Sequence, residues 1–347
     1  MPQPTQSDLH VNALLTNLSL KYMQAKDNFV ADQVFPVVPV LKQSDIYPIY
    51  QPGDFNRGVL IPRAAGARVK NIGYRVDNTP TYFCPVYAIG HQIPDQVRSN
   101  ADFPFNLDAD ATDLLTMQYL IAREVLWASA FFGSGLWTND WTGVASTPTY
   151  TEGSTTNQVL QWTDPNSQPI IDVRNLKRSV ELQSGGFRPN TATLSRYVFD
   201  ILCDHPDFVD RVKYGQTSPN PAKVAREAMA ELWELDKVLV MDGIQNQGVE
   251  EAGTDSGGST AGPLVSNAWI AGKGILLTYS PKTLGLNTPG CGATFSWTGY
   301  YGANGLGTRM RDYYVNETSS TNVELDAAFV FKVLMKQMGG FISSVVA

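Results

Sequence analysis

Residues 110–132 read DATDLLTMQYLIAREVLWASAFF, the strongest helical pattern in this sequence. The segment contains neither glycine nor proline, and its apolar residues recur every three or four positions, at Leu114, Met117, Ile121, Val125, Ala128 and Phe132. Asp108 and Asp110 are candidates for the N-cap, and Gly133 ends the pattern. The pattern therefore predicts one helix of roughly 30 Å.

The N-terminal segment lacks this regularity. Residues 30–40 contain Pro36 and Pro39, and each proline pushes the residue before it out of the helical region, so an extended segment is predicted. Earlier apolar residues, Leu14 to Leu20, indicate one or two helical turns. A segment of this kind is poor material for a core of its own and is typical of an arm that lies across something else.

Residues 52–80 contain several glycines and almost no apolar period. Five basic residues lie here, Arg57, Arg63, Arg68, Lys70 and Arg75, against only Asp54 and Asp77. About 30 residues of weak structure inside a domain normally mark a functional loop. Residues 81–93 then predict a strand.

The rest of the chain alternates helices and strands. Helices are predicted at residues 169–183, 195–202 and 221–235, with a short one opening at Pro206, and strands at residues 237–241, 268–279, 293–297, 311–315 and 327–335. Residues 134–168 predict a loop or a loose hairpin, and residues 243–267 an acidic loop. The fold class is α+β, with one long helix and several separate sheets.

The composition limits the classes of function. A chain of 347 residues suggests two or three lobes, and a net charge of −7 argues against gripping nucleic acid through its phosphates. Cys84, Cys203 and Cys291 are widely spaced and odd in number, which predicts reduced thiols in a protein folded in a cytosol. No secretion signal and no membrane span are expected.

No convincing active site is present in the sequence. The three histidines show no metal-ligand spacing, and Cys203 and His205, two positions apart, would not face each other on a helix. Nucleophile-elbow, dinucleotide-binding and phosphate-loop motifs are not found. We predict no catalytic, cofactor or metal site and therefore no enzyme. A soluble α+β hydrolase that uses scattered carboxylates is the alternative.

Several segments, in order along nearly the whole chain, resemble the major capsid proteins of tailed double-stranded DNA bacteriophages, which have the Hong Kong 97-type fold. They are residues 34–40 (VFPVVPV), 47–50, 63–68, 82–84, 93–95, 113–132 (with Arg123-Glu124 in the middle), 186–190, 202–211, 231–241, 275–281 and 295–297. The resemblance implies an N-terminal arm (1–50), an extended loop or E-loop (51–95), a peripheral domain with its spine helix at about 110–132 (96–185), an axial domain (186–290) and C-terminal β-segments returning to both domains (291–347).

The resemblance also implies a function. The expected protein forms pentamers and hexamers of an icosahedral head that encloses double-stranded DNA, with no cofactor; it is located in the virion and assembled in the cytoplasm of a bacterial host. The arm begins so early that either a separate scaffolding protein or a processed chain is expected, together with a portal protein and, as an option, a decoration protein. A bacterial encapsulin-like nanocompartment shell has the same fold and is the main alternative.

The charges suggest how subunits meet. The approach to the long helix carries Asp102, Asp108, Asp110 and Asp113 with no basic residue among them. We expect the basic loop of one subunit, with Arg57, Arg63, Arg68, Lys70 and Arg75, to lie over this approach on its neighbour. The alternative is that these residues only keep a surface loop soluble. The acidic stretch 231–255 is expected to face solvent or the ring centre, with a metal site at a symmetry axis as its alternative.

Overall fold

The long helix is present in the computed structural model, which describes residues 23–101, 106–215, 225–248, 265–283, 288–300 and 307–347. The helices are α1 (Ala31–Val34), α2 (Pro52–Phe55), α3 (Asp95–Asn100), α4 (Leu107–Phe131), α5 (Pro169–Ser184), α6 (Arg196–Asp204), α7 (Pro206–Gly215) and α8 (Arg226–Trp233), with 3-10 turns at Lys26–Asn28 and Lys336–Met338. The strands are β1 (Val37–Val40), β2 (Ser44–Ile46), β3 (Ile49–Tyr50), β4 (Val76–Asp77), β5 (Thr81–Phe83), β6 (Val86–Pro94), β7 (Asn139–Val144), β8 (Gln158–Leu160), β9 (Thr191–Ser195), β10 (Lys237–Met241), β11 (Ile244–Asn246), β12 (Asn267–Trp269), β13 (Ile275–Thr278), β14 (Gly292–Trp297), β15 (Thr308–Val315), β16 (Ser320–Val333) and β17 (Gly339–Ser343).

Helix α4 is the predicted long helix, and it begins three residues earlier than expected. Its N-cap is Asn106, whose side-chain oxygen accepts a hydrogen bond from the backbone N–H of Ala109, at 3.2 Å. The prediction of Asp108 or Asp110 as the N-cap is therefore wrong. Both aspartates lie in the first turn, where they complement the helix dipole instead.

One sheet packs on α4. Its order is β1-β14-β16-β15, with β6 also paired to β16. The 14-residue strand β16 pairs with β6 and β15 through its first part and with β14 through its last residues. The core between this sheet and α4 is rich in aromatic rings: Phe35, Trp127, Phe131, Phe329 and Phe331.

A second, six-stranded sheet has the order β10-β9-β13-β17-β7-β8 and its own core with α5 to α8. Strands β7 and β8 correct the prediction of a loop or loose hairpin at residues 134–168. They pair in parallel, and Trp137, Trp141 and Trp162 are buried beside them. These three tryptophans anchor the segment in the core, although its sequence shows no periodic spacing of apolar residues that would have predicted strands.

Helix α5 shares this second core with β9 and β10. The domain boundary expected between residues 185 and 186 stays a prediction. The end predicted for α5 is confirmed, because Gly185 adopts a left-handed conformation (φ 79°) there.

Other elements follow the predictions with shorter limits. The helix predicted at residues 221–235 is α8, Arg226–Trp233, and residues 221–224 lie outside the described residues. The predicted strand at residues 81–93 is divided into β5 and β6, and the one at residues 268–279 into β12 and β13. In the predicted acidic loop, β11 and β12 pair with each other.

The N-terminal arm differs from its prediction. Residues 31–34 form a helical turn and not an extended segment, and Val30, Val34 and Phe35 are buried against α4. Strand β1 then joins β14 in parallel. This part of the arm therefore packs on its own chain, while the turns predicted at Leu14 to Leu20 lie outside the described residues.

Candidate interaction surface

The predicted extended loop (51–95) begins with residues 51–76, which lead from β3 into its paired strand β4 and for which the name extended loop is kept below. Its described side chains are almost all exposed, and these include several large apolar ones: Phe55, Val59, Leu60, Ile61, Val69, Ile72 and Tyr74. Leu60 is 98% exposed. Burying one such side chain typically stabilises by about 1.5–3 kcal/mol, so this number of exposed apolar side chains in one loop indicates a surface that binds a partner.

The base of this loop is fixed. The rings of Tyr50, Phe55 and Tyr74 cluster with centroids 5.7–6.0 Å apart. The side chain of Asn56 donates a hydrogen bond to the carbonyl of Gly185 at the end of α5, at 3.1 Å. The loop therefore leaves the body at a defined place.

Asp54 binds two of the five basic residues of the loop. Its carboxylate accepts hydrogen bonds from the backbone N–H and the Nε of Arg75, both at 3.0 Å, and lies 3.8 Å from Arg57. The hydrogen bond from the Arg75 side chain lowers the pKa of Asp54. Arg57 and Arg75 thus belong to the base of the loop.

The distal part of the loop carries the other basic residues. Arg63, Arg68 and Lys70 make no ion pair with any residue that the structure describes. They lie among the exposed Leu60, Ile61 and Val69. A surface that combines exposed apolar side chains with unpaired positive charge fits an acidic partner surface with apolar patches.

The predicted acidic approach is only partly described. Asp102 lies outside the described residues, and Asp108 forms an exposed ion pair with Arg98 of α3, at 2.7 Å. Asp110 and Asp113 are half-buried on the first turns of α4 and make contacts of their own. Within the described part of one chain, no ion pair joins these acids to the loop. Arg98 lies just before the acidic approach in the sequence, so the charge pattern of residues 102–113 did not indicate this partner.

A buried charged pair in the middle of α4 was also missed as a site. The Arg123 guanidinium lies 4.9 Å from the Phe329 ring centroid and forms an ion pair with Asp32 of the arm. The Glu124 carboxylate accepts hydrogen bonds from the backbone N–H groups of Val30 and Ala31, at 3.1 and 2.9 Å. Burial raises the pKa of Glu124 to about 7. The signal was present in the sequence as two adjacent charges on a helix covered by apolar residues.

His205 lies beside a serine. Its Nδ1 accepts the backbone N–H of Asp207 at 3.2 Å, which leaves the ring proton of the neutral imidazole on Nε2. Nε2 lies 2.9 Å from the Ser167 hydroxyl and therefore donates to it. A ring nitrogen that donates cannot take the hydroxyl proton, so this pair is not arranged as a nucleophile and its base.

The described residues contain no group of three or more His, Cys, Asp or Glu side chains that could hold a metal ion. Cys84 and Cys291 are buried, and burial raises the pKa of the Cys84 thiol to about 11. Within the same described ranges, no helix has the length and apolar character needed to cross a membrane.

Comparison with known proteins identifies one curated relative. The major capsid protein of Burkholderia phage BcepMu is 23% identical to this chain over 239 residues, which are 67% of this chain and 69% of that protein. No protein-family model matches the sequence.

Solved structures are similar at lower identity. A phage-related protein from Bordetella bronchiseptica is 19% identical, with a TM-score of 0.64 over 93% of both chains. The mature capsid of bacteriophage PhiM1 is 11% identical, with a TM-score of 0.55 over 97% of this chain and 92% of the other. SrpI encapsulin from Synechococcus elongatus PCC 7942 is also 11% identical, with a TM-score of 0.52 over 96% and 94%. At these identities the likeness shows a shared fold.

Proposed function

We propose that this chain, which has the Hong Kong 97-type fold of phage capsids, is the major coat subunit of a tailed phage. The resemblance inferred from the sequence and the α+β class are confirmed by these relatives. In the proposed role, the chain forms the pentamers and hexamers of an icosahedral head.

The distal loop is the observation that carries the proposal. A shell needs one sequence to occupy several slightly different environments, and a rigid body with an adaptable extension meets that need. Head-to-tail contacts that close by rotation give rings, and a loop that reaches a neighbour allows a small change of angle between them. Burial of the apolar loop residues would place the interface in the obligate class, above about 2,000 Å² in total.

The charges of the distal loop indicate where on the neighbouring subunit the loop would lie. Arg63, Arg68 and Lys70 are unpaired on the described chain and remain available for the acidic approach of a neighbour, with Asp102, Asp108, Asp110 and Asp113 as the proposed partners. Arg57 and Arg75 contribute less in this arrangement, because Asp54 holds both. Exposed pairs contribute only about 0–1 kcal/mol each, so they set register more than strength.

The proposed contents and partners follow from the same role. The head encloses double-stranded DNA without sequence-specific binding, which a net charge of −7 supports because packed DNA must slide and leave. A scaffolding protein, a portal protein and, as an option, a decoration protein complete the assembly, which takes place in the host cytoplasm. No catalytic step is proposed for the subunit.

A nanocompartment shell is the second candidate, supported by the likeness to SrpI encapsulin. Neighbouring genes for a portal and a terminase would favour the phage head, whereas a cargo enzyme with a docking tail would favour the nanocompartment. A soluble hydrolase is the weakest candidate: the Ser167 hydroxyl has no base in His205, and the described residues contain no group of His, Cys, Asp and Glu side chains that could hold a metal ion.

Electron microscopy tests the proposal. The full chain is expressed alone and with the candidate scaffolding gene, and purified particles are imaged and assayed for nucleic acid and for cargo protein. Closed polyhedral shells of tens of nanometres are expected. A chain that stays a solitary globule under both conditions, at concentrations where related coats assemble, would contradict a shell function.

A further inference from the structure

Residues 24–35, which we call the strap, run from the chain between β10 and β11 to α4. On the side of the six-stranded sheet, the Gln24 side chain donates to the carbonyl of Ile244 at 2.6 Å and accepts its N–H at 3.0 Å. The N–H of Asp242 donates to the carbonyl of Asn28 at 3.2 Å. The Gln24 side-chain amide and the Asn28 backbone carbonyl thus satisfy backbone groups at the end of β10 and the start of β11, so polar contacts hold the strap on this side.

On the side of α4, the strap is fastened by Glu124. Its carboxylate is fully buried and accepts the N–H groups of Val30 and Ala31, at 3.1 and 2.9 Å. These are the first N–H groups of the α1 turn, which would otherwise lack acceptors. Because the strap supplies the hydrogen-bond donors to this buried carboxylate, the position of the strap is coupled to the protonation of Glu124.

We propose that the strap opens from the body in a proton-dependent equilibrium in which Glu124 is the latch. The latch is a property of the single chain. It goes beyond the proposed shell function and does not depend on it.

The groups around Glu124 set the direction of the effect. Burial raises its pKa from an ordinary 4.5 to about 7 with the strap closed, and Asp32 of the strap raises it further. Arg123 on α4 and the two backbone N–H groups oppose this shift, and Tyr119 is bonded to Arg123. From β16, the nearby groups are the uncharged rings of Phe329 and Phe331, which lie on Arg123.

The closed strap therefore binds a proton more tightly than the open strap. Lifting the strap returns the carboxyl group to water and to its ordinary pKa. Closure is fully favoured below pH 4.5, weakens as the pH rises towards 7, and changes little above that. The difference between 4.5 and about 7 corresponds to a change of roughly 300-fold in the closing equilibrium over the whole pH range, of which roughly 100-fold falls between pH 5 and 8.

Hydrogen exchange measured by mass spectrometry tests the latch on the full-length protein. Protection factors of peptides covering residues 24–40 are followed from pH 5 to 8, after division by the intrinsic exchange rate. In the wild type, protection should fall roughly 100-fold up to about pH 7 and then level off. In Glu124→Gln, which stays neutral and can still accept one N–H, the profile should be flat.

Controls separate the latch from general stability. Glu152→Gln makes the same change on an exposed side chain and should keep the wild-type profile. Asp32→Asn removes a like charge and frees Arg123 to act on Glu124, so the midpoint should move to lower pH. A wild-type profile without pH dependence, or Glu124→Gln with the wild-type slope, overturns the proposal. If Glu124→Gln does not fold, an unmoved midpoint in Asp32→Asn overturns it equally.

Discussion

Residues 29–40 and the extended loop at residues 51–76 lie close together in the chain, yet one belongs to the core and the other stands in solvent. Both contain large apolar residues. The first segment buries Phe35 and Val34 against α4 and pairs β1 with β14, whereas Leu60 in the second is 98% exposed. The difference is that β14 offers a backbone edge to the first segment, while the described chain offers none to the distal loop.

The contrast shows that an apolar segment can be buried either by its own chain or by another molecule. Apolar side chains in the N-terminal segment contribute to the stability of the single chain. Those in the distal loop contribute nothing to it and gain their burial only from another molecule. Substitutions in the N-terminal segment should therefore lower the free energy of unfolding of the subunit, whereas substitutions in the distal loop should lower the yield of assembled particles.

The largest effect is expected for Phe35→Ala. Phe35 is 2% exposed, and its ring lies 4.6 Å from that of Phe131 and 6.3 Å from that of Trp127. Removing it should lower the free energy of unfolding by about 3–5 kcal/mol, because a cavity remains. Denaturant unfolding of the dissociated subunit measures this. Leu60→Ala should change it by less than about 0.5 kcal/mol, and equal losses in both variants would erase the contrast.

The next effect should appear only in assembly. Leu60→Asp should leave subunit unfolding unchanged and reduce the yield of closed particles several-fold, because a charge cannot be buried without a partner at an apolar interface. Sedimentation and electron microscopy measure the yield. Leu182→Asp makes the same change at another exposed leucine, on α5, and is the control. Normal particle yield from Leu60→Asp would show that the loop needs no apolar partner.

A smaller effect is expected from reversing the distal charges. Arg63→Glu combined with Arg68→Glu should lower particle yield or make it more sensitive to salt, at about 0–1 kcal/mol per lost pair. Arg178→Glu, which reverses an exposed arginine on α5, should have no such effect. If the doubly reversed variant forms particles at normal yield at every salt concentration, the proposed ion pairs are contradicted, and these arginines only keep the loop soluble.

The smallest effect should come from Asp54→Asn at the base of the loop. The pKa of Asp54 is lowered by Arg75, so its contribution is present above the ordinary pKa of an aspartate and is lost as the pH falls through the lowered value. The variant should mimic this loss at neutral pH. Proteolysis of the loop should become slightly faster, while the unfolding of the body stays the same. Unchanged cleavage would show that Asp54 does not order the base.

The elements that the sequence predicted well are those whose signals are local. Helix α4 follows from the spacing of its apolar residues, α5 ends at Gly185, and β10 matches its predicted limits. In each case the deciding residues lie within the element. The start of α4 was predicted three residues late, because asparagine and aspartate cap helices about equally well and the local pattern does not distinguish Asn106 from Asp108.

The misses share a different cause. Strands β7 and β8 obtain their burial from β17 and α5, which are distant in sequence, and no local period records this. The strap likewise depends on Glu124, far along the chain. For the candidate surface, the basic residues could be found by composition, but only the structure shows that Arg57 and Arg75 are held by Asp54.

The long strand β16 carries a consequence for how this chain can change in evolution. It pairs with β6, β15 and β14 in one continuous register, so a single inserted or deleted residue within it would turn half of its side chains to the wrong face. Three other strands would lose alignment together. Lineages descended from this protein should therefore vary in length within residues 51–76 and keep β16 at constant length.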